Sequence, residues 1–187
     1  MFEFPKKAMV TAAVLALLSG TAAYASSVHL KPPNSSPAFT DQGLTLQATG
    51  TLAGLGNGDI LVQLTALANP TGSCANPSGT GQQPPGHNPA PVTVTGSQAI
   101  PDSQIKNGTV SFRVTTNPPV TPIPGAPDCP NAQWTEEITD MSFTNATIEV
   151  EQGAGVPPPV VLAVICTFSP ATADGKVPAA TVTCVSQ

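Results

Sequence analysis

The sequence predicts an all-β fold: a two-sheet antiparallel β-sandwich of immunoglobulin-like architecture, with about seven to nine short strands, proline-rich loops and two disulfides. Three observations predict it. The 187 residues include 22 prolines, which leave little room for long helices. Threonine and valine, interrupted by glycine and proline, are typical of short strands joined by turns. The four cysteines are an even number, as expected for paired cysteines in an exported domain.

The first twenty-five residues have the layout of a secretory signal peptide. Lys6 and Lys7 form a basic start, an apolar run covers 8–18, and the segment 23–25 matches the small-x-small cleavage pattern. The apolar run is shorter than the roughly 20 residues that span a bilayer. We therefore expect residues 1–25 to be removed. Residues 26–187 are expected to form a single secreted domain without a transmembrane segment, extracellular or, in a Gram-negative host, periplasmic.

The predicted mature chain is acidic. Removing residues 1–25 leaves ten acidic residues and four basic ones, so its net charge is −6. Nucleic acids and anionic membranes are bound through clusters of Lys and Arg, which this composition does not provide. We expect no nucleic-acid partner, and the partner is predicted to be an unknown extracellular ligand or surface component.

The four cysteines are expected to form two disulfides. Cys166 and Cys184 lie symmetrically about Gly175, as cross-strand neighbours in a hairpin would, while Cys74 and Cys129 both lie in proline-rich segments. We therefore predict the pairs Cys166–Cys184 and Cys74–Cys129, although the sequence permits three pairings. The chain has no C-x-x-C pair and only two histidines, so we expect no metal and no cofactor.

Alternation of apolar and polar residues predicts the strands. Residues 44–51 and 60–68, on either side of a glycine-rich turn, are predicted to pair as a hairpin. Residues 160–168 are apolar on both faces and are predicted to lie in the centre of a sheet. A phase change predicts a bulge or a tight turn near Thr144 and Asn145. The remaining strands are predicted at 92–95, 109–115 and 180–185, with turns at 100–105 and 174–175. Residues 134–138 and 141–152 are predicted to form one or two strands.

Two proline-rich segments, 69–91 and 117–130, are predicted to be loops. Each contains one cysteine of a proposed pair, so we expect the loops to lie at the same end of the domain. Irregular loops on a rigid sandwich are common recognition surfaces. His87, which lies in the first loop, is therefore a candidate ligand contact. Trp134 is a second candidate because its ring could stack on a sugar, although the favoured interpretation is a buried core tryptophan near a disulfide.

The sequence shows no catalytic constellation. It has no G-x-S-x-G motif, and its glycine-rich turn precedes a strand, whereas a phosphate-binding loop precedes a helix. Only the acidic group Glu136, Glu137, Asp140, Glu149 and Glu151 could supply the two carboxyl groups of a glycoside hydrolase. We interpret these residues as a solvated strand face that protects an edge. Hydrolysis would require Glu136 or Glu137 to lie opposite one of the others.

We therefore predict no catalytic, cofactor-binding or metal-binding residues. The leading hypothesis is a secreted non-enzymatic β-sandwich protein that acts as an extracellular surface, matrix or recognition module. Two alternatives remain open. One is a secreted hydrolase that acts on carbohydrate through an acidic pair near Glu136. The other is a self-assembling structural subunit.

Overall fold

The computed structural model describes residues 28–32, 36–78 and 88–187, so the predicted signal peptide and His87 lie outside the described residues. The described part contains strands and two 3-10 turns, and it has no α-helix. No helix in it is long and apolar enough to cross a membrane. The strands are β1 (His29–Leu30), β2 (Ala38–Asp41), β3 (Leu46–Ala53), β4 (Ile60–Ala75), β5 (Val92–Ile100), β6 (Val110–Thr115), β7 (Thr135–Gln152), β8 (Val160–Phe168), β9 (Gly175–Lys176) and β10 (Val182–Ser186).

The strands form two antiparallel sheets. In sheet A, β3 pairs with β6 along one edge and with β2 and β1 along the other, and β9 pairs with β2. Sheet B has the order β10-β8-β7-β4-β5. The inward faces of both sheets form one hydrophobic core. Within it the ring of Phe39 in sheet A meets Phe168 in sheet B edge to face, with centroids 5.0 Å apart. The all-β sandwich is confirmed.

Strands β4 and β7 are longer than predicted. They pair from Ile60 opposite Gln152 to Ala75 opposite Thr135, so part of the first predicted loop is strand. Pro70 does not interrupt the pairing with β7, and β5 does not extend to this level, so no described strand pairs with the other edge of β4 here. A proline at an open edge removes no ladder hydrogen bond, which is why its presence did not end the strand.

Two bulges interrupt the pairing of β7 with β4. The register skips Thr144, so the feature predicted near Thr144 and Asn145 is a bulge and not a tight turn, and the register also skips Thr139. Each bulge reverses the facing of the side chains that precede it. The second bulge was not predicted from the sequence. Residues 134–138 and 141–152, predicted to be one or two strands, belong to the single strand β7, which continues through this bulge.

The predicted hairpin of 44–51 with 60–68 is wrong. Strand β3 belongs to sheet A and β4 to sheet B, so the glycine-rich turn carries the chain from one sheet to the other. The side chain of Gln152 holds this turn in place. Its Oε1 accepts a hydrogen bond from Gly56 N at 3.0 Å, and its Nε2 donates to the carbonyls of Gly56 and Gly58 at 3.0 and 3.2 Å.

Both predicted disulfides are confirmed. Cys166 and Cys184 are direct partners in the pairing of β8 with β10. Cys74 at the end of β4 is joined to Cys129 in the segment between β6 and β7. The chain between β8 and β10 is not the simple hairpin that was predicted, because it crosses to sheet A and pairs there as β9.

Strand β8 lies between β7 and β10, which confirms an interior position in its sheet. Only one of its faces is buried, however, and Ile165 on the other face is 41 % exposed. A sandwich covers each sheet on one side only, so an apolar outer face does not imply a covering layer.

The two sheets meet along β5 and β6. Arg113 N donates to Gln98 Oε1 at 2.8 Å, and Asn117 N donates to Thr95 O at 2.8 Å. A Cβ atom at Gly96 would lie only 1.9 Å from the carbonyl oxygen of Thr115, so the approach requires glycine. β5 pairs with β4 along its whole length and continues to Ile100, beyond the short strand predicted from the sequence.

Candidate ligand-binding site

An open groove lies on the outer face of sheet A and has a volume of about 1030 Å³. Gln98 lines the groove at the edge of sheet A formed by β6, and residues 177–179 line it at the opposite edge, next to β9. We call it the basic groove, because three of its lining side chains are cationic. Its polar lining residues are Lys31, Ser36, Thr49, Thr51, Gln98, Ser111, Arg113 and Lys176.

The strand register places Arg113 and Lys176 on the same face. Arg113 is the partner of Thr49 in the pairing of β6 with β3, and Lys176 is the partner of Thr40 in the pairing of β9 with β2. Cross-strand partners in an antiparallel sheet point to the same side. Thr40 and Thr49 alternate with buried residues, so their side is the outer one.

Lys31 completes the cationic lining. Its backbone N–H donates to Thr51 O at 2.8 Å, one residue beyond the partners Leu30 and Leu52. Leu30 and Leu52 both face the core, so the next residue along each chain faces outward. Lys31 therefore lies over the same outer face as Arg113.

The groove concentrates the positive charge of an acidic chain. Of the four basic residues in 26–187, three line it, and none of the described residues that line it is acidic. No salt bridge joins Lys31, Arg113 or Lys176 to a described carboxylate. The fourth basic residue, Lys106, donates from Nζ to Ser103 O at 2.9 Å and does not line the groove. This arrangement favours anions, because nearby like charges add their potentials.

Hydroxyl groups lie between the cations. Thr51 Oγ1 and Ser111 Oγ are 3.1 Å apart across the pairing of β3 with β6, and Thr49 lies on the same face. A hydroxyl can both donate and accept hydrogen bonds. The floor of the groove can therefore hydrogen-bond a ligand that carries either kind of group.

Asp41 is a buried carboxyl group on the inner face of sheet A, with 2 % of its surface exposed. Burial raises its pKa above the ordinary value. Hydrogen bonds from the hydroxyl of Thr172 and from Gly43 N oppose the rise, and the negative charges of Asp174 and Asp140 add to it. Despite this group of carboxylates, no set of three or more His, Cys, Asp or Glu among the described residues could hold a metal ion.

The expectation that Glu136 is a solvated surface charge is wrong. Glu136 is 1 % exposed, its Oε2 accepts a hydrogen bond from Asp128 N at 3.3 Å, and its Oε1 has no hydrogen-bond partner within the described chain. Its facing follows from the two bulges of β7. Each bulge reverses which alternate side chains of β7 face the core. Because two bulges lie between Glu136 and Ile148, the alternation is restored and both side chains face inward.

Three of the other acidic residues, Glu137, Glu149 and Glu151, do not face a common site with Glu136. Glu137 is exposed on the opposite face of β7 from its neighbour. Glu149 lies roughly 40 Å further along the same strand at the usual rise per residue. Glu151, predicted to face solvent, is 8 % exposed and accepts a hydrogen bond from Gln63 Nε2. The carboxyl groups of Glu136 and Glu149 are thus far beyond the separation of a glycosidase pair.

Trp134 lies at the bend before β7 and is half-buried. Its backbone N–H donates to Asn131 O at 3.1 Å. It is not the fully buried core tryptophan considered from the sequence, and it does not line the basic groove. The structure does not describe His87, so its predicted ligand contact remains a prediction.

Sequence reasoning missed the basic groove. Lys31, Arg113 and Lys176 are far apart along the chain and form no motif. The available signal was the alternation around Arg113, which placed it on the outer face of its strand. The groove also depends on β1, β6 and β9 belonging to one sheet. That conclusion requires the strand pairing, which the alternation of residues does not reveal.

No protein-family model, no curated protein and no solved structure matches this chain.

Proposed function

We propose that the protein is a secreted, non-enzymatic recognition module that binds an anionic extracellular ligand in the basic groove. One observation carries the proposal: three of the four Lys and Arg residues in 26–187 line a single groove that contains no described acidic residue. The two disulfides support an oxidising compartment, where such bonds persist.

Binding is favoured over catalysis by the chemistry of the lining. Among the described residues, no carboxyl, imidazole or thiol group lines the groove. Within the described lining, the serine and threonine hydroxyls therefore have no carboxylate or imidazole beside them to act as a general base. The cations and hydroxyls that are present suit the fixing and orientation of a charged ligand.

Retention of the protein on a carboxylated matrix at pH 7 and low ionic strength tests the proposal. A uniformly acidic protein flows through, whereas we expect this one to be retained through its basic groove and released by salt. The substitution Arg113→Gln should weaken retention. Lys106→Gln changes the net charge by the same amount outside the groove and should leave retention unchanged.

Two results would contradict the proposal. In the first, the wild-type protein passes through the matrix. In the second, the two substitutions reduce retention equally, which would assign the effect to net charge alone. Circular dichroism of each variant checks that the β fold is kept.

A further inference from the structure

We propose that the ligand of the basic groove is a linear acidic polysaccharide, lying across the strands of sheet A, with its anionic groups spaced along the chain. This inference rests on the proposed function and specifies its ligand. The observation behind it is the wide separation of the three cations across a face that also carries the hydroxyls of Thr49, Thr51 and Ser111.

The separation follows from the register. Arg113 and Lys176 are three strand spacings and one two-residue step apart, which places their Cα atoms roughly 16 Å from each other. By the same measure Lys31 lies roughly 12 Å from Arg113 and roughly 14 Å from Lys176. One phosphate or carboxylate group is too small to contact three cations on this spacing. A ligand that uses all three must be extended and must carry several charges.

The surface between the cations suits sugars. The hydroxyls of Thr49, Thr51 and Ser111 can donate to and accept from sugar hydroxyls. Phe39 and Phe112 contribute to the lining of the groove, but their rings are packed into the core. Binding to the described lining therefore depends on hydrogen bonds and charge, because none of its aromatic rings is exposed for stacking.

The same features argue against other polyanions. Single-stranded nucleic acid is bound by aromatic stacking together with a cationic track, and the groove offers no exposed ring among its described residues. An anionic membrane surface is typically recognised by four to eight clustered Lys or Arg residues, more than the three present here. Exposed ion pairs each contribute little, so affinity must come from several weak contacts made at once.

Calorimetric titration with defined glycans tests this inference. The probes are galacturonic acid, a galacturonic acid oligomer long enough to cross the sheet, dextran sulfate and neutral dextran. We expect the oligomer to bind at least about tenfold more tightly per molecule than the monomer, because one molecule engages several cations. Neutral dextran should not bind. Comparison of the oligomer with dextran sulfate distinguishes carboxylate from sulfate ligands.

The variants show whether the cations act together. Lys31→Gln, Arg113→Gln and Lys176→Gln should each weaken oligomer binding about 2- to 5-fold, and the triple variant should weaken it roughly 10- to 100-fold. Lys106→Gln is the control and should have no effect. The weak binding of the monomer should barely change in each single variant. One carboxylate contacts one cation at a time, and two cations remain after each substitution.

The outcomes separate this inference from the proposed function. Equal affinity for monomer and oligomer, with dependence on Arg113, would overturn the polysaccharide and retain an anion-binding module with a compact ligand. Absence of binding to every anionic probe, together with flow-through on the carboxylated matrix, would overturn both. Binding of neutral dextran as tightly as the oligomer would also overturn the inference, because charge would then make no contribution.

Discussion

At the scale of single residues, the buried carboxyl group of Asp41 makes stability depend on pH. Burial raises its pKa in the folded protein above the ordinary 3.8 expected in the unfolded chain. The folded state therefore holds the proton more tightly. As the pH rises through the interval between the two pKa values, the unfolded state ionises first, and this contribution to stability decreases.

We predict that Asp41→Asn removes this contribution. Asn keeps the shape and can accept from Gly43 N, but it does not ionise. The stability of the variant relative to the wild type should increase as the pH rises from about 3 to about 7. Urea unfolding at several pH values measures the difference, with Glu137→Gln as an exposed control. Parallel curves for Asp41→Asn and wild type across this range would contradict the prediction.

Glu136 and Glu137 are neighbours with opposite environments, and they provide a matched pair of substitutions. Glu136→Ala should destabilise the fold by about 1–3 kcal/mol, since it leaves the N–H of Asp128 without its acceptor and removes a buried side chain. Glu137→Ala at an exposed site should change stability by less than about 0.5 kcal/mol. Equal losses in chemical denaturation would show that Glu136 is not supporting the Asp128 segment.

At the scale of elements, the sequence predicts strands better than their partners. Alternation located β8 to the residue and placed β6 within one residue. It did not place β3 and β4 in separate sheets, because a pattern with a period of two is the same whichever strand lies alongside. Strands β1 and β9 have two residues each, too few to show any alternation.

The approach of β5 to β6 depends on the absence of a side chain at Gly96. Gly96→Ala would place a Cβ atom against the carbonyl oxygen of Thr115. This oxygen belongs to the backbone, so it cannot relieve the clash by rotating as a side chain could. We predict a loss of about 1–3 kcal/mol or more. Gly56→Ala is the control, because its Cβ would make an ordinary contact of 3.7 Å with Gln152 Oε1. The midpoints of thermal unfolding of the two variants measure this difference in stability. An unchanged midpoint for Gly96→Ala would contradict the close approach of β5 to β6.

At the scale of the whole molecule, the sequence predicted the fold class and both disulfides, and it predicted neither the groove nor the burial of Glu136. The class follows from composition and local pattern, which are properties of short segments. The groove requires β1, β6 and β9 to share one sheet, and the facing of Glu136 requires two bulges to be counted correctly. Both depend on long-range pairing, where an error of one residue reverses a face.

The two disulfides close chain segments of different length, and this difference predicts unequal contributions to stability. Cys74 and Cys129 are 55 residues apart, whereas Cys166 and Cys184 are 18 apart. In the chain-entropy model their loss costs about 4 and about 3 kcal/mol respectively. The pairing of β8 with β10 over five residue pairs also holds positions 166 and 184 together when their disulfide is absent. The double substitution of Cys74 and Cys129 by Ala should therefore be the more destabilising one.

Hydrogen exchange separates this effect from a general loss of stability. Without Cys74–Cys129, the amides of Ala126 and Cys129 should lose protection, because that bond ties their segment to the end of β4. Replacing Cys166 and Cys184 by Ala should leave those amides protected. Neither bonded cysteine pair lines the groove of sheet A, so each folded variant should still be retained on the carboxylated matrix. A larger loss of stability for the variant without Cys166 and Cys184 would contradict the prediction. The disulfide that closes the shorter chain segment would then contribute more to stability.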